Sequence, residues 1–82
     1  MAFEGINFPV YRKYKNGKSY FKIISREEFE EIQIVGTKKI IHLVTAKQLP
    51  EMNQIYDLVY DRNLTETITD SEYLNLNMKS ES

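Results

Sequence analysis

Six residues near one end of the chain have side chains suited to recognising anions and flat rings: Tyr11, Lys13, Lys15, Lys18, Tyr20 and Lys22. Lysines at alternate positions track a phosphate backbone, and tyrosine rings between them stack on bases. The same pattern has plainer uses. Lysines keep exposed strands from pairing with other chains, and a lysine over a tyrosine ring makes a cation–π contact. A basic face also suits an acidic protein surface. The sequence pI of 5.8 is unlike that of a dedicated nucleic-acid binder. The reading preferred is therefore a solvated structural face. A protein partner comes second, and weak single-stranded nucleic-acid binding through residues 10–24 third.

Other residues of chemical interest are weaker candidates. Glu27, Glu28, Glu30 and Glu31 cluster, but paired carboxylates divide acid and base roles only where their environments separate their pKa values. His42 is the only histidine, so it cannot build a multi-histidine metal site. Opposite Glu31 it would form a pH-sensitive pair. Ser19 or Ser25 could be drawn into a triad with His42 and Asp57, but a triad is defined by geometry, not inventory. Asp57 and Asp61 share one side of a helix or strand, and two carboxylates are too few for a hard divalent cation. The chain has no cysteine, which removes disulfides and thiolate zinc sites. Its three glycines form no phosphate-cradling loop. No catalytic residue, metal site or cofactor is expected.

The elements that would position these residues are mostly strands. Asn16-Gly17 lies between two runs rich in Tyr, Val, Phe and Ile and predicts a hairpin with a type I′ turn. In its register Lys13 faces Tyr20, Arg12 faces Phe21, Tyr11 faces Lys22 and Val10 faces Ile23. Val10, Tyr14, Phe21 and Ile23 then share one face, with Arg12 as its exception. The six basic and aromatic residues share the other. Ser25 and Glu28 fit a capping box and predict one short helical turn. Gly36-Thr37 predicts a second hairpin, type II′, with Ile32 facing Ile41, Ile34 facing Lys39 and Glu31 facing His42. Apolar residues on both of its faces predict a central strand pair or part of a closed barrel.

Residues 50–61 carry two patterns. Met52, Ile55, Tyr56, Val59 and Tyr60 form a helical stripe, with Pro50 in its first turn. Tyr56, Leu58 and Tyr60 alternate as in a strand, and this reading is preferred because Ile, Val and Tyr favour strands. A short strand over residues 64–68 follows. Thr69 and Glu72 then predict a helix over about residues 70–77. The fold class is mainly β: a small antiparallel meander of five or six strands, open or curled into an SH3-like barrel, with one or two short helices. The alternative is α+β, with helix packed on one face of an antiparallel sheet.

The 82 residues suffice for one domain, over residues 1–77, with residues 78–82 as a flexible polar tail. A domain this small has little room for a deep dry pocket, which disfavours an elaborate enzyme. Charge is uneven. Residues 1–24 carry +4 and residues 25–82 carry −5, for a net −1. No apolar run approaches a membrane span, and the first residues have neither a basic nor a long apolar segment. A cytoplasmic location is expected, with no membrane contact.

Tyr20-Phe21-Lys22-Ile23-Ile24-Ser25, Phe29-Glu30-Glu31-Ile32-Gln33 and Leu49-Pro50-Glu51 resemble stretches of short bacterial proteins of unknown function. The resemblance spans about half the chain and implies no activity and no site residues. The functional expectation rests on the small core and uneven charge. It is a non-enzymatic interaction domain with a protein partner, or one that self-associates through the basic hairpin and the acidic remainder of another copy.

Overall fold

The structure is a computed structural model that describes residues 3–79. Five strands form one open antiparallel sheet in the order β4-β3-β2-β1-β5. They are β1 (Val10–Tyr14), β2 (Ser19–Ser25), β3 (Glu28–Val35), β4 (Lys38–Thr45) and β5 (Thr65–Thr67). Helix α1 (Leu49–Tyr60) crosses from the β4 edge to β5, and α2 (Asp70–Lys79) follows β5. The meander is real, but it does not close into a barrel. β4 and β5 stand at opposite ends of the sheet, and each face carries a helix. The arrangement is a small α+β-like domain.

Turn chemistry places the first hairpin. Val10 pairs with Ile23, Tyr11 with Lys22, Arg12 with Phe21 and Lys13 with Tyr20, as the sequence predicts. The turn differs from type I′, which needs positive φ at both central residues. Gly17 has φ +74°, whereas Phe3 is the only non-glycine with positive φ among the described residues. Asn16 contributes through its side chain, whose Oδ1 accepts from the Lys18 N–H at 2.8 Å. The second hairpin has the predicted register, Ile32 with Ile41 and Glu31 with His42. Gly36 takes φ +62° at the first turn position, as type II′ demands.

Two expected elements take other forms. Residues 25–28 make no helical turn. They form the tight connection between β2 and β3, with Ser25 paired to Glu28 and the Glu27 N–H donating to Ser25 Oγ at 3.1 Å. Residues 50–61 are not a strand. Through Tyr60 they belong to α1, with Asp61 as its C-cap, and Ile55, Leu58 and Val59 recur at helical spacing and are buried. Pro50 sits in its first turn, and Glu51 Oε1 accepts from the N–H groups of Lys47 (2.9 Å) and Gln48 (3.2 Å). These bonds satisfy donors that would otherwise go unpaired at the helix start. The second helix begins as expected, with the Glu72 N–H donating to Thr69 Oγ1 at 3.1 Å. It continues through Met78 and Lys79, where the sequence suggests a tail, and residues 80–82 lie outside the described residues.

Side-chain alternation divides the core in two. On one face α1 packs Ile55, Leu58 and Val59 against Phe21, Ile23, Phe29 and Ala46, with Phe3, Ile6, Phe8, Val10, Tyr14 and Val44 around them. On the other, Tyr73 of α2 packs with Ile32 and Ile68, flanked by Tyr11, Tyr20 and Leu76. Full burial of one such side chain stabilises by about 1.5–3 kcal/mol. The first cluster holds five of the seven fully buried large side chains and the second holds Ile32 and Tyr73. The α1 face therefore carries most of the stability, and α2 is the weaker layer.

Candidate functional site

The basic and aromatic residues of the first hairpin are divided by α2. Tyr11 meets the Tyr73 ring at a centroid distance of 5.5 Å, and Tyr20 packs beside the same cluster. Lys13 lies 5.8 Å over the Tyr20 ring and pairs with Glu72 of α2 at 3.6 Å. Lys22 stands opposite Glu30 in the sheet register. Lys15 and Lys18 are exposed at the hairpin tip. The helix thus occupies the aromatic part of this face and supplies a carboxylate to Lys13, while Lys15 and Lys18 stay exposed. The register pairs both tyrosines with lysines as the sequence predicts, and Tyr11 has in addition an aromatic partner from a distant element. Exposed ion pairs such as Lys13–Glu72 contribute about 0–1 kcal/mol, so this contact orients α2 more than it holds it.

The titratable candidates are dispersed. His42 Nε2 lies 3.3 Å from Gln33 Oε1, while Glu31, its register partner, accepts from Ser19 Oγ at 2.7 Å. Ser25 is occupied at the β2–β3 turn. Asp57 and Asp61 are exposed, and the Asp61 N–H donates to the Asp57 carbonyl to end α1. Glu30 accepts from the Tyr73 hydroxyl at 2.8 Å. Burial first, then this bond and the charge of Glu30, raise the pKa of Tyr73 well above the ordinary phenol value. Burial and Glu31 raise that of Tyr14 in the same direction. Among the described residues no three His, Cys, Asp or Glu side chains gather as metal ligands. No described helix is long and apolar enough to cross a membrane.

The sheet's long open edge is the feature that sequence reasoning missed. The apolar character of β4 on both faces predicted a central position, yet β4 is an edge strand. The Ala46 N–H donates to the Glu27 carbonyl, so the even-numbered residues of β4 direct their backbone groups at β3. Alternation then turns the N–H and C=O groups of Lys39, Ile41, Leu43 and Thr45 outward. Beside them Ile41 is 47% exposed and Leu43 63%, on the same sheet face. Ile40 is exposed on the opposite face. The other edge, β5, has only three residues. A short edge is a common device against unwanted pairing, and a long apolar one is a template for it. The sequence contains one partial signal: residues 36–50 include Lys38, Lys39 and Lys47 and no acidic residue, a frequent pattern of edge strands.

Comparison with protein-family models, curated proteins and solved structures finds no match to this chain.

Proposed function

We propose that the protein is a small non-enzymatic interaction domain that binds protein by strand addition at β4, and that its first partner is a second copy of itself. The outward backbone groups and exposed Ile41 and Leu43 of β4 support this reading most directly. An antiparallel partner strand would satisfy the backbone groups and cover the side chains in one step.

The strand is self-complementary. A two-fold axis normal to the sheet keeps each side chain on its own face. With His42 at its centre, Ile41 of one copy meets Leu43 of the other, and Ile40 meets Val44. Lys39 meets Thr45, so no lysine faces a lysine. Cross-strand pairs of this kind contribute roughly 0.2–1 kcal/mol each. Two five-stranded sheets become one continuous sheet, with the β5 edges outermost.

Sedimentation velocity over rising concentration tests the proposal. The expected outcome is a concentration-dependent dimer that persists at high salt, because apolar and backbone contacts hold it. Leu43→Lys, at an exposed site, should give a folded monomer. A dimer that dissolves as salt rises would return the contact to the basic hairpin and acidic surfaces. A monomer throughout the millimolar range would reject self-pairing.

A further inference from the structure

A cleft lies where the end of α1 meets β1 and β5. Its volume is about 360 Å³, and it is lined by Arg12, Lys15, Val59, Arg62, Thr65, Glu66 and Thr67. Three of these seven residues are cationic. Arg12 comes from the sheet face under α1, where it is the exception among apolar neighbours. Its Nη1 donates to the Tyr11 carbonyl at 2.9 Å and its Nη2 to the Val59 carbonyl at 3.4 Å. A guanidinium has five N–H donors, so these contacts fix its plane and leave donors for another group.

The charges in this cleft are poorly balanced. Burial, and secondarily the charge of Arg62, lower the pKa of Arg12 from its ordinary value. Among the described residues, neither arginine lies within ion-pair distance of a carboxylate. Glu66 is the one acidic residue at the rim, but it pairs with Lys13 in the sheet register. Alternation places its side chain on the α2 face, opposite the face of Thr65 and Thr67. Thr67 stands directly across from Arg12, and the Thr65 hydroxyl donates to the Leu58 carbonyl at 3.0 Å.

A purely structural role accounts for part of the cluster. α1 has no basic residue in its last turn, and a cation there offsets the partial negative charge of the helix end. Arg12 does this through Val59. Arg62 and Lys15 make no such bond to α1, and bringing Arg62 near a half-buried guanidinium is unfavourable without an anion.

We infer that the cleft binds a phosphate group, carried by a small phosphomonoester, between Arg12, Arg62 and Lys15, with Thr67 as a further donor. Planar guanidinium forks match the oxygen geometry of phosphate, and a dianion offsets most of the charge of three cations. The volume is at the lower end for small-molecule sites, which limits the ligand to a small organic phosphate. This site is independent of the β4 edge, on the opposite side of the sheet order.

The test is an amide NMR titration at fixed ionic strength, with chloride replaced by inorganic phosphate, then by glycerol phosphate, then by a short single-stranded oligonucleotide. Shifts should saturate with phosphate and with glycerol phosphate, and should centre on residues 12, 15, 62 and 65–67. Arg62→Gln, at an exposed position, should weaken binding at least tenfold while leaving the spectrum folded. Lys22→Gln should leave it unchanged. Arg12→Lys provides a second variant that keeps the charge but loses the fork, and it should weaken binding by a smaller factor. Equal, non-saturating shifts at Lys18, Lys22, Lys38 and Lys39 would overturn the inference. So would binding seen only with the oligonucleotide, which would assign the basic hairpin to nucleic acid instead.

Discussion

Replacing Tyr73 by alanine should remove α2 from the sheet, and the cost can be worked from its contacts. Tyr73 is 1% exposed and is the largest fully buried side chain. It packs with Ile32 and Ile68, meets the Tyr11 ring and donates to Glu30. Truncating a buried aromatic to alanine costs about 3–5 kcal/mol. The bond to Glu30 contributes about 1.5–3 kcal/mol when intact, because its acceptor is charged. The two figures overlap, so the expected loss is about 4 kcal/mol. A domain of this size shifts about 4–8 °C in Tm per kcal/mol, giving a fall of roughly 15–30 °C. Tyr73→Phe keeps the ring and loses only the hydroxyl, and should cost about 1.5–3 kcal/mol, the value of the bond to Glu30. Urea unfolding followed by circular dichroism measures both variants. Hydrogen exchange on Tyr73→Ala should show α2 amides exposed while those of β2 and β3 stay protected. A loss below about 1 kcal/mol for Tyr73→Ala would refute the view that Tyr73 docks this layer, since that is under the range for any buried aromatic truncation. Equal losses for Phe and Ala would show that the ring contributes nothing.

Alkaline stability should report the same contact. The pKa of Tyr73 is raised in the folded state, so above about pH 10 the unfolded chain releases a proton that the folded chain retains. Stability should be level below about pH 10 with respect to this group, and fall by about 1.4 kcal/mol per pH unit above it. Urea midpoints between pH 9 and 11 check this, and Tyr73→Phe should decline less steeply than the parent. Gly17→Val should cost about 1–2 kcal/mol, because φ +74° is left-handed backbone and valine is both β-branched and chiral there; thermal unfolding measures it. Glu51→Ala removes the acceptor for two N–H groups at the start of α1 and should cost about 0.5–2 kcal/mol, with faster exchange at Lys47 and Gln48.

Legibility followed the range of the interactions involved. The two hairpin registers could be read because Asn16-Gly17 and Gly36-Thr37 fix them locally, and the alternation of Val10, Tyr14, Phe21 and Ile23 named the inner face. The identity of α1 could not, because residues 50–61 satisfy both periods. Helix prevailed through tertiary packing: Ile55, Leu58 and Val59 reach one stripe that fits Phe21 and Phe29, and a strand would have left alternate members of that set in water. Even the expected helical stripe was rotated, since Tyr56 and Tyr60 are exposed and Leu58 is buried. Ser25-x-x-Glu28 satisfies a capping rule and also a tight turn, and the strands on either side decided between them. The candidate sites were least legible. The aromatic half of the basic face is covered by Tyr73, and the Arg12–Arg62 approach joins residues 50 positions apart through the end of a helix that the strand reading omitted.

The position of β5 has a consequence for how the chain acquires this shape. Four strands join through hairpins whose partners are close in sequence, and such pairs form within about 1–10 μs. The fourth pairing is different: Thr67 must find Arg12, roughly 55 positions earlier. Closing a loop of that length is entropically costly, and topologies with distant pairings fold more slowly. During synthesis the outer side of β1 therefore waits, unpaired, until α1 and β5 have emerged. For that interval the nascent sheet has two long open edges, and the three residues of β5 act as the late clasp that leaves the mature domain with one long edge, β4, and one short one.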